Sequence, residues 1–202
     1  DKILYPDHKL MPQHRRWIGY TLKFVVISLL QHAAGREERF LAPLFAYYRR
    51  PEKLEDGAAF QLLDAAAALP DTVYTRRHAA LLLRFAETLS AREDVQVRTA
   101  AVLLLDRLHR LAPQSSGPLR ALERMDCTGS TTLRLLREDV MQSGAAITLP
   151  DDAVSEIFLD NLKTATPWIT KQANIRLLTD FARSGSSPAL HIATHLSNLI
   201  KV

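Results

Sequence analysis

Two histidines one helical turn apart, His191 and His195, are the pair in this chain closest to a metal-ligand spacing. A zinc-protease helix carries a glutamate directly after the first histidine, because that carboxylate is the general base; Ile192 stands there instead, and no third ligand lies nearby. The sequence therefore points to two ordinary histidines and no metal. Cys127 is the only cysteine, which excludes an internal disulfide and favours a reducing compartment. A cysteine nucleophile needs a base beside it, and none of the seven histidines falls in a recognisable hydrolase motif with Cys127. No Gly-x-Ser-x-Gly elbow and no glycine-rich phosphate loop occurs; Ser184-Gly185-Ser186 reads as a turn. Paired acids occur at Glu37-Glu38, Glu55-Asp56, Glu138-Asp139 and Asp151-Asp152. The first and last pairs open helices, where the positive end of the macrodipole accounts for them. The expectation is a chain without catalytic residues, cofactor or small-molecule substrate.

Basic pairs carry more information. Arg15-Arg16, Arg49-Arg50 and Arg76-Arg77 each fall near the end of a predicted helix, and Arg107 and Arg110 follow on a later one. If equivalent helix positions stack, these arginines line up into a stripe able to hold an acidic peptide or phosphates. The alternative is a solvated face paired with the chain's 22 acids. Lys and Arg number 26, for a net charge of +4, and residues 1–50 hold nine of them against four acids. So modest a bias permits an acidic partner without demanding nucleic acid. Trp17, Tyr47 and Tyr48 near the basic end suit base stacking or, at their helical spacing, packing between helices.

The elements that position these groups read as helices throughout. The 202 residues are 47% apolar and 24% charged, with few glycines and no long alternating run, which is the composition of a folded, single-domain, all-α chain. Residues 1–13 are read as an extended lead-in, and a first residue of Asp1 rather than Met is read as compatible with a fragment of a longer protein. Helices are predicted over His14–Ala34, Glu37–Arg50, Ala58–Leu69, Val73–Ser90, Asp94–Ala112, Leu119–Met125, Thr131–Gln142, Asp151–Lys163, Trp168–Ser184 and Ala189–Val202. Pro43 is expected to kink or split the second, and residues 144–151 form the longest irregular link. The longest apolar run near the start, Phe24–Leu30, is far short of the ~20 residues that span a membrane, so no insertion is expected and the localisation is read as intracellular, cytoplasmic or nuclear.

The central helix is the most sharply written. Val97, Ala101, Leu104, Leu108 and Leu111 follow one another at spacings of 4, 3, 4 and 3. Arg98, Val102, Leu105 and His109 form a second line, and Asp106, Arg107 and Arg110 are left to face water. Asp94 is placed to cap the start, and Pro113 ends the element. Leu104 and Leu108 should be buried, and Val102 or Leu105 should meet a neighbouring helix pair.

On Asp94, Val97, Arg98, Ala101, Leu104 and Leu108 this stretch resembles the second helix of a HEAT repeat. Tyr74–Leu89 looks like a related helix, with Arg77, Ala80, Leu83 and Leu89 in similar places. The resemblance, clearest over residues 74–112, implies a right-handed α-α superhelix of stacked antiparallel pairs, HEAT/armadillo-like, with nine or ten helices; an irregular α-bundle has the same helix lengths. It implies a non-catalytic scaffold that binds a partner protein through its repeat surface. Members of similar fold also grip nucleic acid, and some are DNA glycosylases; that use would need Trp17 or Trp168 to converge with an acid in a groove.

Overall fold

Asp94 begins the best-defined element as its sequence position requires: its carboxylate accepts the Val97 backbone N–H at 2.9 Å. The computed structural model describes residues 37–142 and 149–183. Among them are nine α-helices and no strand. They are α1 (Glu37–Tyr48), α2 (Asp56–Ala67), α3 (Val73–Arg77), α4 (Ala79–Ser90), α5 (Val95–Leu111), α6 (Gly117–Arg124), α7 (Thr131–Met141), α8 (Asp151–Leu162) and α9 (Trp168–Arg183). A single 3-10 turn, Pro51–Lys53, joins α1 to α2. The predicted helices 14–34 and 189–202, the lead-in 1–13 and most of the 144–151 link lie outside the described residues. The chain divides into two compact units between Asp126 and Cys127.

In the first unit, α5 is the axis. Leu104 and Leu108 are buried, and so are Val102 and Leu105 on the second apolar line, both fully. A helix buried on two sides needs neighbours on both, and α5 packs against α2, α4 and α6. Two bonds fix the direction of α2. Arg92, just before α5, donates to Asp56 at the start of α2, 36 residues away. Arg107, near the end of α5, donates to the Leu69 carbonyl just past the end of α2, 38 residues away. The two helices therefore lie side by side and point the same way. Ring contacts give α1 and α4 the same relation: Phe45 meets His78 and Tyr48 meets Phe85, each with centroids 4.8 Å apart, so the partners advance together along both helices. Arg98 at the start of α5 donates to the Asp126 carbonyl beyond α6 at 2.7 Å, which makes α5 and α6 antiparallel.

Several predicted features are corrected. Val73–Ser90 is not one helix, because it breaks at His78, whose φ −98° and ψ 8° lie in the bridge region. The imidazole tilts over Tyr74 with centroids 4.3 Å apart, and Nδ1 lies 3.0 Å from the Tyr74 carbonyl. The Tyr74 carbonyl also accepts the His78 backbone N–H at 3.2 Å, so both groups of His78 turn back onto the end of α3. Glu37–Tyr48 is not split at Pro43, although proline contributes no N–H to the ladder there. α2 begins at Asp56 rather than Ala58, and α6 begins at Gly117 rather than Leu119. Asp106 does not face water but is buried, and Arg107 is half-buried against the end of α2.

The second unit is built on α7, α8 and α9. Its core holds Leu135, Leu149, Ala153, Val154, Ile157, Leu177 and Phe181. A polar link crosses it: the Thr132 hydroxyl donates to the Asn174 amide oxygen at 2.7 Å, and Asn174 Nδ2 donates to Asn161. Asn174 is fully buried, so these bonds are what make its polar group tolerable there. Arg176 on α9 bridges Asp139 on α7 at 2.8 Å and approaches Asp180 one turn along at 3.7 Å.

Candidate partner-binding surface

The predicted arginines separate into two groups by what surrounds them. Arg15 and Arg16 lie outside the described residues. Arg76 is engaged by Asp71 with both carboxylate oxygens, Nε at 2.6 Å and Nη2 at 2.7 Å. That hydrogen bonding holds the Asp71 carboxyl below its ordinary range and raises the Arg76 guanidinium; the field of Arg107 also acts on Asp71. The fold thus brings Arg76 and Arg107 to one acid, across the α2–α3 loop. Arg107 additionally donates to the Leu69 carbonyl at 3.2 Å, satisfying a group at the end of α2. Arg110 grips Asp106 one turn earlier, at 3.1 and 2.8 Å. These three arginines are bound to their own fold.

Arg49, Arg50 and Arg77 are exposed and have no acceptor among the described residues. Arg49 and Arg50 follow the last turn of α1, and Arg77 ends α3. The contact of Phe45 with Tyr74, at 5.2 Å, sets the last turn of α3 beside α1 one turn before Arg49. A helix C-terminus favours cations, which explains why arginines gather there, but it leaves their donors pointing to solvent.

Arg84 on α4 and Arg120 and Arg124 on α6 are exposed as well, as is Arg39 on α1. Sequence reasoning passed over them because each stands singly in an amphipathic helix. Their signal was positional, on the polar side of the apolar stripe. Helices α4 and α6 are close neighbours, since a Cβ on Gly117 would come within 2.6 Å of Leu83 Cδ2. Each carries an exposed acid three residues after its arginine, Glu87 after Arg84 and Glu123 after Arg120. On both helices an exposed acid thus follows the arginine within one turn.

The HEAT-like positions behave unequally. Arg98 is buried and holds the Glu93 and Asp126 carbonyls, with the Asp126 carboxylate 3.5 Å away. Arg77 makes no such link, and Ala80 is exposed rather than packed.

Among the described residues no group of three His, Cys, Asp or Glu side chains could hold a metal. His191 and His195 lie outside them. Cys127 is half-buried in the turn before α7. No helix of the described residues is long and apolar enough to cross a membrane. No family model, no curated protein and no solved structure matches this chain.

Proposed function

We propose that the chain is a non-catalytic, HEAT/armadillo-like helical-repeat scaffold that binds a partner protein. One observation carries the reading: α1 and α2 are followed by α4 and α5 lying parallel to them, at offsets of 36 and 38 residues between α2 and α5. Helices repeated in parallel at a step of 36 to 38 residues are the relation from which a solenoid is stacked, and a solenoid presents its equivalent helix positions as one extended face. Arginines clamp the step: Arg92 holds the loop before α2, and Arg98 holds the segment after α6. The exposed Arg49, Arg50, Arg77, Arg84, Arg120 and Arg124 give that face an affinity for acidic segments.

Recognition of nucleic acid is the second reading, supported by the same unpaired arginines. Glu87 and Glu123 argue against it, because they would set a carboxylate against a continuous phosphate track beside each helix. A peptide of mixed charge meets no such conflict. The experiment is affinity capture on the immobilised chain with and without nuclease, followed by titration of duplex and single-stranded oligonucleotides across salt. The scaffold reading expects nuclease-resistant capture of a defined protein that rebinds after purification. Oligonucleotide binding with a steep salt slope, and loss of all captured protein on nuclease treatment, would overturn it in favour of nucleic acid.

A further inference from the structure

Asp56-Gly57 is the only Asp-Gly pair in the chain, and no Asn-Gly pair occurs. An aspartyl side chain cyclises onto the next backbone nitrogen most readily when glycine follows, because glycine has no Cβ to crowd the closing ring. Asp56 and Gly57 open α2, and both are exposed. A Cβ built on Gly57 would meet nothing within 4 Å, so no neighbour packs over this stretch of backbone. The turn also lacks a cap: Glu55, at the N-cap position, makes no side-chain bond to the first-turn N–H groups. The first bond of the helix runs from the Ala59 N–H to the Glu55 carbonyl at 2.8 Å, so the Gly57 N–H lies ahead of the ladder. What holds the Asp56 carboxylate is Arg92, which donates to Oδ1 at 3.0 Å and also takes the Leu54 and Pro51 carbonyls just ahead of the turn.

We propose that Asp56-Gly57 is a site of spontaneous isoaspartate formation, held in check by the Arg92 clamp. When the first turn of α2 opens, the Gly57 nitrogen bonds to the side-chain carboxyl carbon of Asp56 in its protonated form. The C–OH bond breaks, the amide proton departs with it as water, and a succinimide closes. Water then adds to the ring carbonyl that was the Asp56 backbone carbonyl, whose bond to the Gly57 nitrogen breaks. The chain now runs through Cβ, and the freed carboxyl sits on Cα. Composition is unchanged, and water is the only co-reactant. The extra backbone atom disrupts the first turn of α2 and takes the carboxylate away from Arg92.

The test is incubation of the full-length chain at neutral pH, followed by peptide mass mapping and labelling with an isoaspartate-specific carboxyl methyltransferase. Isoaspartate should accumulate at Asp56 in the folded wild type, more slowly than in urea. Arg92→Met should raise the folded-state rate by at least about tenfold, the factor for removing a charged hydrogen bond from local opening. Arg107→Met releases the far end of α2 and should stay within about twofold of wild type, which separates opening of this turn from a general loss of stability. Gly57→Ala fits the open space and should slow the reaction strongly, in the folded chain and in urea alike. The isolated isoaspartyl form should unfold at lower urea than its parent. No isoaspartate at Asp56, a wild-type rate equal to that in urea, equal rates for Arg92→Met and Arg107→Met, or an isoaspartyl form as stable as its parent would each overturn the proposal.

Discussion

Replacing Arg92 by methionine keeps the aliphatic stem and removes the donors that tie the start of α5 to the start of α2 and the turn before it. In the native chain the guanidinium reaches Asp56 Oδ1 at 3.0 Å, the Leu54 carbonyl at 3.0 Å and the Pro51 carbonyl at 3.3 Å. The pair with Asp56 is half in water, with that carboxylate 49% exposed, so it contributes no more than about 0.5 kcal/mol. The Pro51 carbonyl also accepts the Leu54 N–H at 3.2 Å and keeps a partner in the variant. The Leu54 carbonyl loses its charged donor, at a cost of about 1.5 kcal/mol. With a smaller share from Pro51, Arg92→Met should destabilise the chain by about 2–3 kcal/mol in urea denaturation. Asp56→Asn should cost about 0.5 kcal/mol, and salt should erase that part alone. A loss under about 0.5 kcal/mol for Arg92→Met, or a loss abolished by salt, would refute the clamp.

Three further outcomes follow from single residues. Gly129 has φ of 79° with open space around its Cβ position, so Gly129→Ala should cost about 1 kcal/mol through the backbone alone, measured as a shift in denaturation midpoint. Tyr48 is buried, its hydroxyl donates to the Leu62 carbonyl at 3.2 Å, and burial pushes its ionisation well above the ordinary 10.0. The folded chain therefore holds this proton more tightly than the unfolded one. Its contribution is complete below about pH 10 and declines above it, and Tyr48→Phe should flatten that decline in stability measured against pH. Asn174→Ala strands the Thr132 hydroxyl inside the second unit and should cost about 2 kcal/mol, whereas Thr132→Val with Asn174→Leu should recover part of it in the same denaturation assay.

What was legible in the sequence was what local chemistry decides. The double apolar line of α5 announced a helix with neighbours on two sides, and Val102 and Leu105 are fully buried. Asp94 announced its own cap. Features that depend on a neighbour far along the chain were not legible. Asp106 and Arg107 looked solvent-facing on a helical projection, but α2 covers that side and offers the Leu69 carbonyl to Arg107. At the break, His78 meets Phe45 of α1, a contact no local spacing announces. The basic pairs were visible as pairs, yet whether a guanidinium is free depends on partners such as Asp71 and Asp106, placed by turns whose geometry no spacing rule states. The parallel step from α2 to α5 became visible only through the bonds of Arg92 and Arg107.

The most direct measurement is quantitative affinity capture with the wild-type chain and with a variant carrying Arg49→Glu, Arg50→Glu and Arg77→Glu. All three positions are exposed and unpaired among the described residues, so the variant should melt within about 1 kcal/mol of wild type. Loss of one defined, nuclease-resistant protein partner, restored by Arg-to-Lys substitutions at the same positions, is the predicted result. Equal capture by the wild type and the charge-reversed variant would contradict the arginine surface as the binding face.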